Sequence, residues 1–377
     1  QRLDLSGEKY KTLLAGLDGV AALEDPINKV TMATRLDDGL DLYRVSCPIG
    51  VVCVIFEARP EAAVQIAALC VKSANAVILK GGKEAVHSNA ALIGPLRDAL
   101  EAAGLPKDAV QLVETREEVG ALLSMDQYID LVIPRGSNQL VSMIKSSTRI
   151  PVLGHADGIC AVYLDAAADA EKAVRITIDA KTNYPAACNT AETLLVHKDI
   201  VASVLPGVGA DLVAAGVSLR ADATCLPHLP PEATTPAVEE DFRTEFLGLT
   251  MAVAAVDDVA AAVEWINAHS SHHTDAIVTE DAAAAEFFQQ RVDSAGVFHN
   301  ASTRFADGFR YGFGAEVGVS TNRVHARGPV GLEGLVIYKY RVYGSGQVAG
   351  EYGPGKRPFA HTTLPLSLPS RAGAGSS

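Results

Sequence analysis

Between residues 50 and 165 the apolar positions come in short unbroken runs separated by longer stretches of helical period. "GVVCVIF" (50–56), "NAVILK" (75–80), "VQLV" (110–113), "IDLVIP" (129–134) and "GICAVYLD" (158–165) are the runs. Each has the length and β-rich composition of a strand buried on both faces. Between them, "PEAAVQIAALCVKS", "EAVHSNAALIGPLRDALEAAG" and "NQLVSMIKSS" read as helices, with Pro60 at a first turn, Glu61 beside its positive end and Gly104 as a stop. Strand and helix alternate again in "AETLLVHKD" and "LTMAVAAVDDVAAAVEWINAHSSHHTDAIVTED", where Asp257 or Asp258 is placed to cap a helix. The rhythm predicts two doubly wound α/β units, meeting near residues 182–190.

Two segments break this rhythm. "VTMATRLDDGLDLYRVSCP" carries "DDG" between alternating stretches, the mark of a hairpin, and "GLVIYKYRVYGSG" is apolar on both faces of a late strand. The second is expected to pair with another element or another subunit. The last thirty or so residues, rich in Gly, Pro and Ser, are expected to form a loose tail.

A formal charge of −13 excludes broad binding to a phosphate backbone and leaves room only for a local anion pocket. The six cysteines, Cys47, Cys53, Cys70, Cys160, Cys188 and Cys225, form no C-x-x-C pair and no zinc-finger spacing. A reducing, cytoplasmic setting is therefore expected, with no metal site and no membrane span. "HSSHHTD" (His269, His272, His273, Asp275) reads as surface or loop-packing histidines, because no other ligand cluster accompanies it. "GFGAEVG" (312–318) departs from the dinucleotide glycine spacing and reads as a tight loop.

Two strand ends carry ligand chemistry. "LKGGKE" sets Lys80, Gly81, Gly82 and Lys83 at the carboxyl end of a predicted parallel strand, where such sheets bind nucleotides. "PRGS" sets Arg135, Gly136 and Ser137 ahead of a helix N-terminus. Cys188, in "TNYPAACNTAETLL", lies between the two predicted units among small and polar neighbours. Locally, a small buried residue and a nucleophile both fit it.

Longer stretches settle more. "PIGVVCVIFEARPE", "LKGGKEAVHSN", "IDLVIPRGSNQLV", "YPAACNTAETLLVH", "INAHSSHHTDAIVTED" and "NASTRFADGFRYGFGAEVGVST" stand in the order found in the gamma-glutamyl phosphate reductases of the aldehyde dehydrogenase superfamily. The chain resembles that family from about residue 45 to 335, and its fungal monofunctional branch most. The resemblance implies an aldehyde-dehydrogenase-like α/β fold with a β-strand oligomerisation arm. It implies an NADPH-binding domain over 1–30 and 47–182, a catalytic domain over 183–325, an arm over 31–46 and 332–345, and a flexible tail over 346–377. A helical segment ahead of "RLDLSG" is usual in relatives, so the cofactor domain is expected to be incomplete.

The reaction implied is reduction of L-glutamate 5-phosphate by NADPH to L-glutamate 5-semialdehyde and phosphate, in proline biosynthesis. Cys188 falls on the nucleophile, Asn189 follows it, and Arg59 stands where hydrolytic relatives carry an asparagine. Lys80, Gly81, Gly82, Lys83, Arg135, Gly136, Ser137 and Glu245 are the implied cofactor contacts. Asn300, Ser302, Thr303, Arg304 and Arg327 are the implied substrate contacts. Hydrolytic relatives carry a general-base glutamate in a stretch that aligns approximately with "PVLGHADG", where this chain has no glutamate and Val152, Leu153, Gly154 and His155 stand. That disfavours the alternative of a hydrolytic aldehyde dehydrogenase; a non-catalytic scaffold is the other alternative. Trp265 and His299 replace a histidine and a tryptophan of relatives. A homo-oligomer, and functional coupling to glutamate 5-kinase, complete the expectations.

Overall fold

The computed structural model describes residues 5–57, 60–113, 117–155 and 157–369. They divide into two compact units: residues 1–132, 149–151 and 331–377 form the first, and residues 133–148 and 152–330 the second.

In the first unit, α1 (Glu8–Ala22) precedes a hairpin of β1 (Val30–Asp37) and β2 (Leu40–Pro48). Their antiparallel ladder turns at Asp38 and Gly39, whose φ of +67° is the left-handed conformation that favours glycine there. Then come β3 (Val51–Phe56), α2 (Pro60–Lys72), β4 (Ala76–Lys80), α3 (Val86–Ala102), β5 (Val110–Val113), α4 (Glu117–Leu123) and β6 (Leu131–Arg135), of which Leu131 and Val132 belong to this unit. The sheet order is β5-β4-β3-β6, with parallel β3–β4 and β4–β5 ladders.

The second unit takes in α5 (Asn138–Ser147), β7 (Cys160–Leu164), α6 (Ala170–Thr182), β8 (Ala191–His197), α7 (Leu205–Ala214), β9 (Ser218–Ala221) and β10 (Thr234–Pro236). It continues through β11 (Thr250–Val256), α8 (Val259–His269), β12 (Thr274–Val278), α9 (Ala282–Arg291), β13 (Gly296–His299), β14 (Gly318–Ser320) and β15 (Gly328–Val330). Seven strands make one parallel sheet in the order β10-β9-β11-β8-β7-β12-β13. Strand β8 lies near its middle and is buried along its whole length, which is why "AETLLVH" shows no alternation. Leu194 and Leu195 are both fully buried, and burying each contributes about 1.5–3 kcal/mol. Side-chain caps fix the helix starts: Ser137 Oγ accepts from Leu140 N–H, Asp169 from Lys172 and Asp258 from Ala261.

Two expectations are corrected. The units do not part at residues 182–190: β7 pairs with both β8 and β12, so residues 152–182 belong to the sheet that carries the cysteine. Burial of both faces of "CAVYL" marks a central strand but not which sheet it joins. The tail is also not loose as far as residue 369. Strand β16 (Val336–Tyr343) pairs with β2, and β17 (Thr362–Thr363) closes the other edge against β1. Tyr352 Oη donates to Asp37, Arg357 pairs with the same carboxylate at 2.9 Å, and Leu364 and Leu368 pack on Ala33, Tyr43 and Val45. The open edge of β1 supplies the hydrogen-bonding groups that this segment satisfies.

Candidate active site

Four of the six free thiols are buried in apolar surroundings. Burial pushes Cys53 and Cys70 up to about 12 and raises Cys160 and Cys225 as well, which keeps them protonated and inert. Cys188 is half-buried and sits in the turn between α6 and β8.

That turn is tightly built. Tyr184 adopts φ +64°, and its carbonyl accepts from Ala187 N–H and Thr190 Oγ1. The loop's two ends are joined by an ion pair between Lys181 at the end of α6 and Glu192 in β8, at 2.5 Å, both fully buried. Burial raises Glu192 to about 7 against the pull of Lys181, and burial lowers Lys181. Cys160 Sγ–H donates to the Cys188 carbonyl at 3.3 Å, and a Cβ at Gly158 would overlap Cys188 Cα and its carbonyl. Glycine is therefore required at 158. Asn189 Nδ2 donates to the Ala306 carbonyl at 2.8 Å, tying the cysteine loop to the turn Thr303–Phe305.

Two imidazoles face the sulfur. His155 stands ahead of β7 and His273 immediately ahead of β12, while Cys188 stands ahead of β8. These three strands are adjacent and parallel, in the order β8-β7-β12, so the residues preceding them converge at one edge of the sheet. One ligand atom of each residue lies within 4.8 Å of the other two. His155 Nδ1–H donates to the Val319 carbonyl at 3.1 Å, and burial lowers the ring's pKa, so it is neutral near pH 7. His273 is buried, its Nδ1 bonded to Thr274 Oγ1 at 2.9 Å, and its Nε2 has no hydrogen-bond partner among the described residues. The sequence places His273 with its neighbours as a packing histidine. That holds for His269, stacked on Trp265, and for His272, bonded to the Asp293 carbonyl, and is corrected for His273. No local signal separates the three; only the strand order does.

The remaining expected residues fall into three groups. Arg304 and Thr303 are buried beside the cysteine loop, with Arg304 Nε and Thr303 Oγ1 unpartnered among the described residues. Burial lowers Arg304, Arg310 lowers it further, and Cys188 raises it, so guanidinium and sulfur are electrostatic neighbours. Ser302 caps their turn through Arg304 N–H. By contrast, Asn300 spends its amide on Thr279 and Glu280, and Arg327 is held by Asp293 at 3.0 Å. The Arg327 Nε is nevertheless buried without a partner among the described residues. Arg135 pairs with Glu316 at 3.2 Å, Ser137 caps α5, and Gly136 lies between them. Glu245 accepts from Gly158 N–H, and burial raises its carboxyl.

In the first unit, Lys80 ends β4, its Nζ donating to the Gly81 carbonyl at 2.5 Å, and Lys83 is exposed. A Cβ at Gly81 would meet the Asn89 amide and the Phe56 ring, so a side chain there would have to displace Asn89. Glu61 Oε2, at the start of α2, is buried without a partner among the described residues, an acceptor suited to a ligand hydroxyl. Strand ends, two lysines and an orphaned acceptor fit a nucleotide cofactor. Arg59 lies outside the described residues.

A parallel α/β sheet presenting an accessible thiol, two imidazoles and a buried guanidinium has the makings of a thiol enzyme of acyl or aldehyde chemistry. The sequence profile of the Aldehyde dehydrogenase family matches residues 13–224. A relative from Schizosaccharomyces pombe, named probable gamma-glutamyl phosphate reductase, is 52% identical over 372 residues, covering 97% of this chain and 82% of the relative. Gamma-glutamyl phosphate reductase 1 from Synechocystis is 54% identical over 364 residues, covering 96% and 83%. The crystal structure of gamma-glutamyl phosphate reductase from Thermotoga maritima superposes with a TM-score of 0.88 at 38% identity, covering 92% of this chain and 84% of that one. The chain belongs to the aldehyde dehydrogenase family and, within it, to the gamma-glutamyl phosphate reductases.

Proposed function

We propose that this chain reduces L-glutamate 5-phosphate with NADPH to L-glutamate 5-semialdehyde and phosphate, the second step of proline biosynthesis from glutamate, through a thioester on Cys188. The observation that carries this reading is Cys188 itself, the half-buried thiol set on a locked turn between two imidazoles and a buried guanidinium.

The Cys188 sulfur attacks the γ-carbonyl, a carbon–sulfur bond forms, the bond from that carbon to the phosphate oxygen breaks, and phosphate leaves. The neutral His155 ring, with a nitrogen within 4.8 Å of the sulfur, is the base that would take the thiol proton as the site closes. Arg304 and Thr303 supply unsatisfied donors for an anionic group of the substrate. Asn189 acts as a clamp on the nucleophile's loop. A bound nicotinamide supplies the hydride for the second half-reaction. On the first unit, Lys80, Gly81, Gly82 and Lys83, with Glu61, are the residues that would hold the cofactor. A lysine beside the ribose would favour the 2′-phosphate of NADP. With no glutamate in "PVLGHADG", water lacks the general base of hydrolytic relatives, which supports resolution by hydride.

The sheet edge formed by β16 carries exposed Ile337, Tyr338, Tyr340 and Val342, which fits an oligomerisation arm. Free thiols fit the cytoplasm, and the lability of an acyl phosphate favours coupling to the kinase that makes it. No helix of the described residues is long and apolar enough to cross a membrane.

The test is phosphate-dependent reduction of NADP by glutamate semialdehyde. In Cys188→Ala the rate is expected to fall by at least about 10³-fold. A full rate in that variant overturns the reading, and acid formation without phosphate would favour the hydrolytic one.

A further inference from the structure

We propose that Cys188, His155 and His273 form a binding site for a borderline-soft divalent cation of the Zn2+ class, and that its occupancy reversibly silences the thiol. A thiolate with two imidazoles is a donor set that selects such an ion over Mg2+ or Ca2+. Their ligand atoms already lie within 4.8 Å of one another. Tetrahedral bonds of about 2.3 Å to sulfur and 2.0–2.1 Å to nitrogen place ligand atoms about 3.5 Å apart. Side-chain rotations that move atoms by about an ångström close the difference, leaving the fourth position for water.

The outer contacts carry the argument further. A metal-bound histidine commonly donates its other ring N–H to an oxygen, which fixes the tautomer and aims the free nitrogen. His155 does this through Nδ1–H to the Val319 carbonyl, and the His273 Nδ1 is engaged by Thr274 Oγ1. In both rings Nε2 is left to coordinate. The Nε2 of His273, on a side chain only 1% exposed, lacks a hydrogen-bond partner among the described residues, and a buried polar atom left so asks for a ligand. Binding forms the sulfur–metal and nitrogen–metal bonds and releases the Cys188 thiol proton to solvent, with no change of oxidation state.

The silencing rests on Cys188 as the nucleophile; the binding does not. The experiment is titration of metal-free full-length protein with Co2+, followed by absorption spectroscopy. One equivalent is expected to give a thiolate-to-cobalt charge-transfer band with d–d bands of tetrahedral intensity, and Zn2+ is expected to displace it. Cys188→Ala and Cys188→Ser should both lose the charge-transfer band, and His155→Gln and His273→Gln should each weaken Co2+ binding by at least about tenfold. Zn2+ should slow alkylation of Cys188 by iodoacetamide, and a chelator should restore it. Circular dichroism establishes that each variant is folded. The site is refuted by absence of the band in the folded wild-type protein, by its survival in Cys188→Ala, or by affinity unchanged in both folded histidine variants. A Cys188→Ala protein that binds no Co2+ yet turns over normally would support the metal site and refute only the nucleophile.

Discussion

The fully buried Lys181–Glu192 pair offers the sharpest test of how the nucleophile's loop is held. At 2.5 Å, two unit charges attract by about 7 kcal/mol at an effective dielectric constant of 20, most of which desolvation cancels. Removing one partner strands the other, and such single removals cost about 3–5 kcal/mol. At about 2–4 °C per kcal/mol for a unit of this size, the melting temperature should drop by roughly 6–20 °C. The two deletions should also respond oppositely to pH. In Glu192→Gln, Lys181 keeps a folded pKa below its ordinary 10.5, because burial lowers it and the carboxylate that raised it is gone. The unfolded chain then binds more protons between the depressed value and 10.5, so stability rises with pH across that window. In Lys181→Met, Glu192 loses the ammonium that lowered it, so its folded value climbs above about 7 while the unfolded value stays near 4.5. The folded chain then holds the extra proton, and stability falls as pH rises from 4.5 through that value. Each slope is at most about 1.4 kcal/mol per pH unit. The assay is urea and thermal unfolding of both variants and the double variant from pH 5.5 to 9, with initial rates alongside. A coupling energy of about 1–3 kcal/mol is expected from the cycle. Parallel pH slopes, or coupling below about 0.5 kcal/mol, would refute the account.

Two further outcomes follow from the same edge of the sheet. In Gly158→Ala the new methyl must displace the Cys188 backbone, since the obstructing atoms are main chain. A displacement near an ångström should lower kcat/KM by about 10²-fold with the fold retained, measured by initial rates and the rate of Cys188 alkylation. Asp275, fully buried, accepts from Ala161 N–H and Ser294 Oγ, and burial raises it to about 6 from an ordinary 3.8. The folded state holds that proton where the unfolded chain does not, so wild-type stability should fall by about 3 kcal/mol as pH rises from 3.8 to 6. Asp275→Asn should flatten this part of the urea-midpoint profile, and an unchanged profile would show that another group titrates there.

How much of this could be read from the residues alone depended on whether the signal was local. Runs such as "VVCVIF" and "AVILK" fixed β3 and β4, and "NQLVSMIKSS" matched α5 residue for residue, because burial and helix capping are written in neighbouring positions. Assignment of β7 to a sheet was not local. Its five buried residues read the same in either unit, and only pairing with β8 and β12 decides. The same holds for the site. The rule that parallel sheets bind ligands at their carboxyl ends drew attention to Lys80 and Arg135, whereas the thiol and its imidazoles sit at the amino ends of β8, β7 and β12. His155 and His273 are far from Cys188 in sequence, and His273 is flanked by His272, whose ring only bonds the Asp293 carbonyl. A one-residue step in a loop separates a packing histidine from one against the sulfur, and no periodicity encodes that step. What brings the three together is the crossover order, in which β7 is inserted between strands that follow it in the chain. The position of β7 therefore moves the unit boundary ahead of residue 160, and it carries His155 to the cysteine.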